Sequence, residues 1–171
     1  FLPGTRTLGP GALRYRRDGD VAEIAWLAPR THEYETENGR LWGRPGGQFA
    51  HGLRLDPDEL AALGGWPAGL YGASFWRRSD PEPTRGRAPE PVEIGPGDLL
   101  APPTFAAVAP LLEGIEPEAL ARLLTALARV AREGRTLFLV EEADRLGPLV
   151  AGLTFAFPAA LRAELTFSTY H

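Results

Sequence analysis

The sequence predicts an α+β fold built on mixed β-sheet. Three observations predict it. The first 78 residues are aromatic and strand-like and hold all four tryptophans, Trp26, Trp42, Trp66 and Trp76. Residues 104–171 read as helix, strand, helix, strand. Between them lies a joint, 79–103, with Pro at 81, 83, 89, 91, 96, 102 and 103, too rich in Pro and Gly for regular structure over most of its length. Neither block has enough periodic elements to stand alone, so the 171 residues are expected to fold as one domain of two lobes sharing a core.

In the first block, Leu13 to Arg16 and Val21 to Leu27 flank Arg17-Asp18-Gly19-Asp20, a hairpin signal because Gly accepts a positive φ without steric cost. Thr31 to Glu37 alternates acids and leads to Asn38-Gly39, a second hairpin arm and turn. Gln48 to Leu55 reads as a strand with Phe49, His51, Leu53 and Leu55 on one face. Asp56-Pro57-Asp58-Glu59 starts a helix, with Asp56 as N-cap and Glu59 reaching back to it, and Gly64-Gly65 stops it. Pro67 to Tyr71 forms another turn. Val92-Glu93-Ile94 is expected as one short strand within the joint.

In the second block, Glu116-Pro117-Glu118 opens a helix that Gly134 closes. Leu120, Leu123, Leu124, Leu127, Val130 and Ala131 recur at helical spacing, and Leu120, Leu123, Leu124 and Leu127 are expected to be buried. Thr136 to Val140 is a continuous apolar run, as in a strand covered on both faces. Residues 142–155 form a helix that Pro148 breaks or kinks. A short helix from Pro158 to Glu164 precedes a last strand, Leu165 to Thr169. A crossover connection would set that strand beside Thr136–Val140.

Composition excludes several functions. The formal net charge is −4 and is spread evenly, so no basic face for nucleic acid is expected. No apolar stretch approaches the roughly 20 residues of a membrane-spanning helix. The N-terminus lacks the basic start and apolar run of a signal peptide, and a cytoplasmic address is expected. There is no Cys, which removes disulfides, thiolate metal sites and a Cys nucleophile. No Lys occurs, and neither Arg44-Pro45-Gly46-Gly47 nor Gly95-Pro96-Gly97 fits a phosphate loop. No metal and no cofactor are expected. All 18 basic residues are Arg, a bias of GC-rich bacterial genomes, and Asn and Gln occur once each, a thermophile-like trait. With no Met, the chain reads as a piece of a longer protein or a trimmed one.

Few residues carry chemistry. His51 is open to two readings: a core histidine satisfied by a backbone group, or a general base with acids such as Glu33 or Glu35 in a small hydrolase-like enzyme. The serines, Ser74, Ser79 and Ser168, sit in no nucleophile elbow. The run Phe75-Trp76-Arg77-Arg78 at the edge of the joint offers aromatic and Arg anchors for a partner, or an Arg pair neutralised by Asp80 and Glu82. The candidate binding residues are therefore Trp76, Arg77, Arg78 and His51, and no catalytic residue is assigned.

The run Gly47-Gln48-Phe49-Ala50-His51-Gly52-Leu53-Arg54-Leu55, the capped helix after it, Leu63-Gly64-Gly65-Trp66-Pro67 and Phe75-Trp76-Arg77 resemble the N-terminal domain of the bacterial GTPase-associated proteins. These are large proteins encoded beside GTPases in predicted conflict systems. The stretch from Pro158 to Tyr170 is similar to them too, and the resemblance runs from about Tyr34 to His171. It implies a non-catalytic interaction or scaffold domain whose partner is a GTPase or another subunit of the same system. A weaker alternative is a GTPase regulator that supplies an arginine in trans, with Arg44, Arg77 and Arg78 as candidates.

Overall fold

A four-stranded antiparallel sheet carries the fold, with the helices lying in the chain between its third and fourth strands. The structure is a computed structural model and describes residues 11–29, 48–77 and 91–169. The strands are β1 (Ala12–Asp18), β2 (Val21–Pro29), β3 (Gln48–Leu55) and β4 (Phe167–Ser168), in the order β3-β2-β1-β4. The helices are α1 (Pro57–Ala62), α2 (Phe105–Val108), α3 (Pro117–Glu133), α4 (Ala143–Phe155) and α5 (Ala159–Arg162). Tight single turns at Pro67–Leu70, Pro96–Asp98 and Ala109–Leu112 complete them. The α+β class is as the sequence predicts, but every pairing in the sheet is antiparallel rather than mixed.

The β1–β2 hairpin closes at Gly19, whose φ of 60° is the left-handed value the turn requires. Asp18 pairs with Val21 and Ala12 with Leu27, so Leu13, Tyr15, Ile24 and Trp26 fall on one covered face. In β3, His51 lies opposite Trp26, and Leu53 opposite Ile24. The α1 start has the expected reciprocal cap. The Asp56 carboxylate accepts from the Glu59 N–H at 2.8 Å, and the Glu59 carboxylate accepts from the Asp56 N–H at 2.8 Å.

The core joins both halves of the sequence. Leu13, Tyr15, Ile24, Trp66 and Leu70 from the first block share one buried cluster with Val108, Ala151, Phe155 and Ala163 from the second. Two hydrogen bonds tie the halves at its centre. The Trp66 indole donates to the Ala151 carbonyl at 3.0 Å, and the Tyr15 hydroxyl donates to the Ala163 carbonyl at 2.5 Å. Gly147 lets α4 approach the Tyr71 ring, because any Cβ there would overlap that ring. Leu99, inside the predicted joint, is also buried in this cluster, and the Leu100 N–H donates to the Gly69 carbonyl at 2.6 Å.

Four expectations are corrected. Val92–Ile94 forms no strand. Thr136–Val140 forms none either: it is extended but unpaired, with Phe138 84% and Val140 98% exposed. The crossover pairing is therefore absent. The last strand pairs antiparallel with β1, Arg14 opposite Ser168 and Tyr15 opposite Phe167. Thr169 secures that choice: its hydroxyl accepts from the Leu13 N–H at 2.8 Å, and its own N–H donates to the Leu13 carbonyl at 2.9 Å. With β2 already between β1 and β3, the one edge near Thr136–Val140 is the outer edge of β4, which is only two residues long. Finally, α3 forms over the expected residues, and Gly134 ends it in a left-handed conformation, but no residue of α3 is buried. Its leucine stripe is half-exposed, and of it Leu127 and Val130 line a groove shared with α4 and β4.

Candidate functional site

Two places on the described surface gather unusual residues. One lies at the β3 side of the sheet. The His51 ring, half-buried, meets the Trp76 ring edge-on at a centroid distance of 5.4 Å. Trp76 in turn stacks on Trp26 at 6.2 Å with an interplanar angle of 15°. Its indole N–H donates to the Leu70 carbonyl at 2.7 Å, so Trp76 is a buried core residue and not a surface anchor. Its neighbour Arg77 is exposed, and the Arg77 backbone N–H donates to His51 Nδ1 at 3.2 Å. Burial, and then the Arg77 charge, lower the His51 pKa below the ordinary 6.5.

This arrangement gives His51 a backbone partner rather than a carboxylate. An acceptor role at Nδ1 fixes the neutral tautomer with its proton on Nε2. A general base would need an orienting carboxylate or a substrate proton within reach, and no described carboxylate bonds the ring. Glu33, Glu35, Arg44, Arg78 and Ser79, and the Thr31–Glu37 arm with its Asn38-Gly39 turn, lie outside the described residues. Ser74 and Ser168 are exposed and distant in the chain order of the fold, on the segment after Leu70 and on β4. Among the described residues, no group of three or more His, Asp or Glu converges as metal ligands would, and no helix is long and apolar enough to cross a membrane.

The second place was not singled out by sequence reasoning. A groove of about 370 Å³ runs between α3, α4 and β4. Leu127 and Val130 of α3 line one wall, and Leu146, Val150 and Leu153 of α4 another. Leu137 and Leu139 of the extended run, with Leu165 and Phe167, complete it. No backbone hydrogen bond joins Thr136–Val140 to another described residue. Along this run Leu137 and Leu139 are half-buried against the groove, while Phe138 lines its mouth and Val140 stands in solvent. The signal that could have found the groove was the strand-like run itself, placed directly after a helix with a full apolar stripe.

The family model described as GTPase-associated protein 1, middle domain, matches residues 107–171. This part of the chain, which contains α3, α4, α5, β4 and the groove, is thus similar to a domain of the GTPase-associated proteins. The matched domain is the middle one, whereas the sequence resemblance pointed to the N-terminal one. No curated protein and no solved structure matches the chain.

Proposed function

We propose that this chain is a non-catalytic protein-interaction domain of a bacterial GTPase-linked conflict or signalling system, working in the cytoplasm, with the GTPase or a neighbouring subunit as its partner. One observation carries the reading: Leu127 and Val130 of the half-exposed α3 stripe line one groove with the exposed Phe138, and Val140 stands bare two residues further on. Contiguous exposed apolar surface of this kind is rare on a soluble domain unless something binds there. Aromatic and branched side chains presented on a helix and an adjoining extended segment suit a protein partner better than a small polar substrate. The similarity of residues 107–171 to a GTPase-associated protein domain supports the choice of partner. His51, tied to a backbone N–H, does not favour the hydrolase alternative.

The test is binding between the purified chain and the GTPase encoded beside it. The wild-type chain is expected to bind, and a Phe138→Asp/Val140→Asp variant to bind at least about tenfold more weakly, the scale of losing interface anchors. Both residues are already in water, so the variant should fold as the parent does. Equal binding by the double variant would place the interface elsewhere. Absence of binding together with a hydrolytic activity that disappears in His51→Ala would reverse the reading. An Arg77→Ala variant that binds normally but no longer speeds GTP hydrolysis would favour the arginine-in-trans alternative.

A further inference from the structure

At the junction between the sheet and the segment that follows Leu70, a single titratable ring holds a backbone group. The Arg77 N–H donates to His51 Nδ1 at 3.2 Å, and the same ring packs edge-on against Trp76. Trp76 is fixed independently, by its indole bond to the Leu70 carbonyl and its stacking on Trp26. Arg77 has no such second tie: among the described residues its backbone N–H finds its partner only on the imidazole. The bond requires Nδ1 to be a bare acceptor. A proton on Nδ1 converts it to a donor, and two donors then face each other.

We propose that His51 is an acid-released latch, whose neutral imidazole holds Arg77 against β3 and whose protonation lets Arg77 go. The surroundings favour the neutral form. From β2 the ring is faced by Trp26, which carries no charge, and along its own face of β3 by Leu53. From the third side it is faced by Trp76 and Arg77, and the Arg77 guanidinium is the described charge acting on it. Charging the ring is therefore disfavoured twice, by partial burial and by a like charge. The sign follows: with the folded pKa lowered below 6.5, the latch is whole above that value. Its contribution to stability is lost as pH falls from about 6.5 through the folded pKa. The release is local, because Trp76 keeps its own bonds, and what it changes is the freedom of Arg77 at the edge of the sheet.

The latch is a property of the chain alone, so its test needs no partner. The experiment is a pH titration of the full chain by NMR, following the His51 ring, the Arg77 amide and the Trp76 indole N–H. A His51→Ala variant assigns the ring among the three histidines. In the wild type the Arg77 amide should shift with the same midpoint as His51, below 6.5. Its hydrogen exchange, corrected for intrinsic pH dependence, should quicken about tenfold across that midpoint, the scale of one hydrogen bond. In His51→Ala the Arg77 amide should exchange at the released rate at every pH. An Arg77 amide unmoved while His51 titrates overturns the latch, as does an unchanged Arg77 transition in His51→Ala. Should the variant fail to fold, the presence or absence of co-titration in the wild type decides alone.

Discussion

The surroundings of Trp66 and the face of α3 are both rich in large apolar side chains, and the chain treats them in opposite ways. Trp66 is fully buried, meets Phe155 edge-on at 4.9 Å and spends its one polar atom on the Ala151 carbonyl. Leu120, Leu123, Leu124 and Leu127 of α3 have the better periodicity, yet none is buried. The difference teaches that periodicity prescribes which face of a helix is apolar and says nothing about what covers it. Around Trp66 the cover comes from the same chain, 85 residues further on. Along α3 the described residues cover the stripe only in part, and a function for that face is the proposed reading.

Breaking the comparison starts at its closed end. Trp66→Ala should cost about 3–5 kcal/mol in urea unfolding, since it opens a cavity at the centre of the core and removes the indole bond that ties the two halves. A loss below about 1 kcal/mol would mean that the two halves do not share a core. Next comes Thr169→Val, nearly the same shape without the acceptor. It leaves the buried Leu13 N–H unpaired and should cost about 1–3 kcal/mol. Hydrogen exchange at Leu13 would locate that loss at the start of β1. The smallest effect belongs to the open end. Leu124→Ala should cost about 1 kcal/mol or less, because a half-exposed side chain leaves no cavity behind. The same variant sharpens the contrast if it weakens binding of the partner while its melting temperature barely moves. A loss of about 3 kcal/mol in the isolated chain would show that α3 is covered after all.

Local signals in this sequence were legible where one short stretch contains the whole cause. The Asp56–Glu59 cap, the Gly19 turn and the bounds of α3 each depend on neighbours within a few residues, and each stands where the sequence places it. Strand partners were not legible in the same way. Thr136–Val140 has the composition of a buried strand, but a strand also needs a free edge of matching length. The edge of β1 near it is taken by Phe167–Ser168, held there by Thr169 and by the Tyr15 bond to Ala163. Those ties are long-range and leave no local mark. The candidate site divides along the same line. His51 was visible as a residue in strand register, but its partner is the backbone of Arg77, and a backbone N–H has no letter in the sequence. Trp76 was visible as an aromatic beside arginines, and its inward position shows only in its burial, its indole bond to Leu70 and its stacking on Trp26.

The clasp between Leu13 and Thr169 also sets a schedule. These two residues are 156 positions apart. At a synthesis rate of roughly 5–20 residues per second, the start of β1 must wait about 8–30 s before its closing partner exists. For that interval one edge of the nascent hairpin is open to any extended segment nearby, including those of neighbouring copies on the same message. The far end of the same edge is occupied by Arg16, Arg17 and Asp18, charges that discourage such pairing. The vulnerable part is Ala12 to Leu13, which carries no charge and which Thr169 eventually covers. The interval before Thr169 is made is thus the one in which the start of β1 lacks its closing partner.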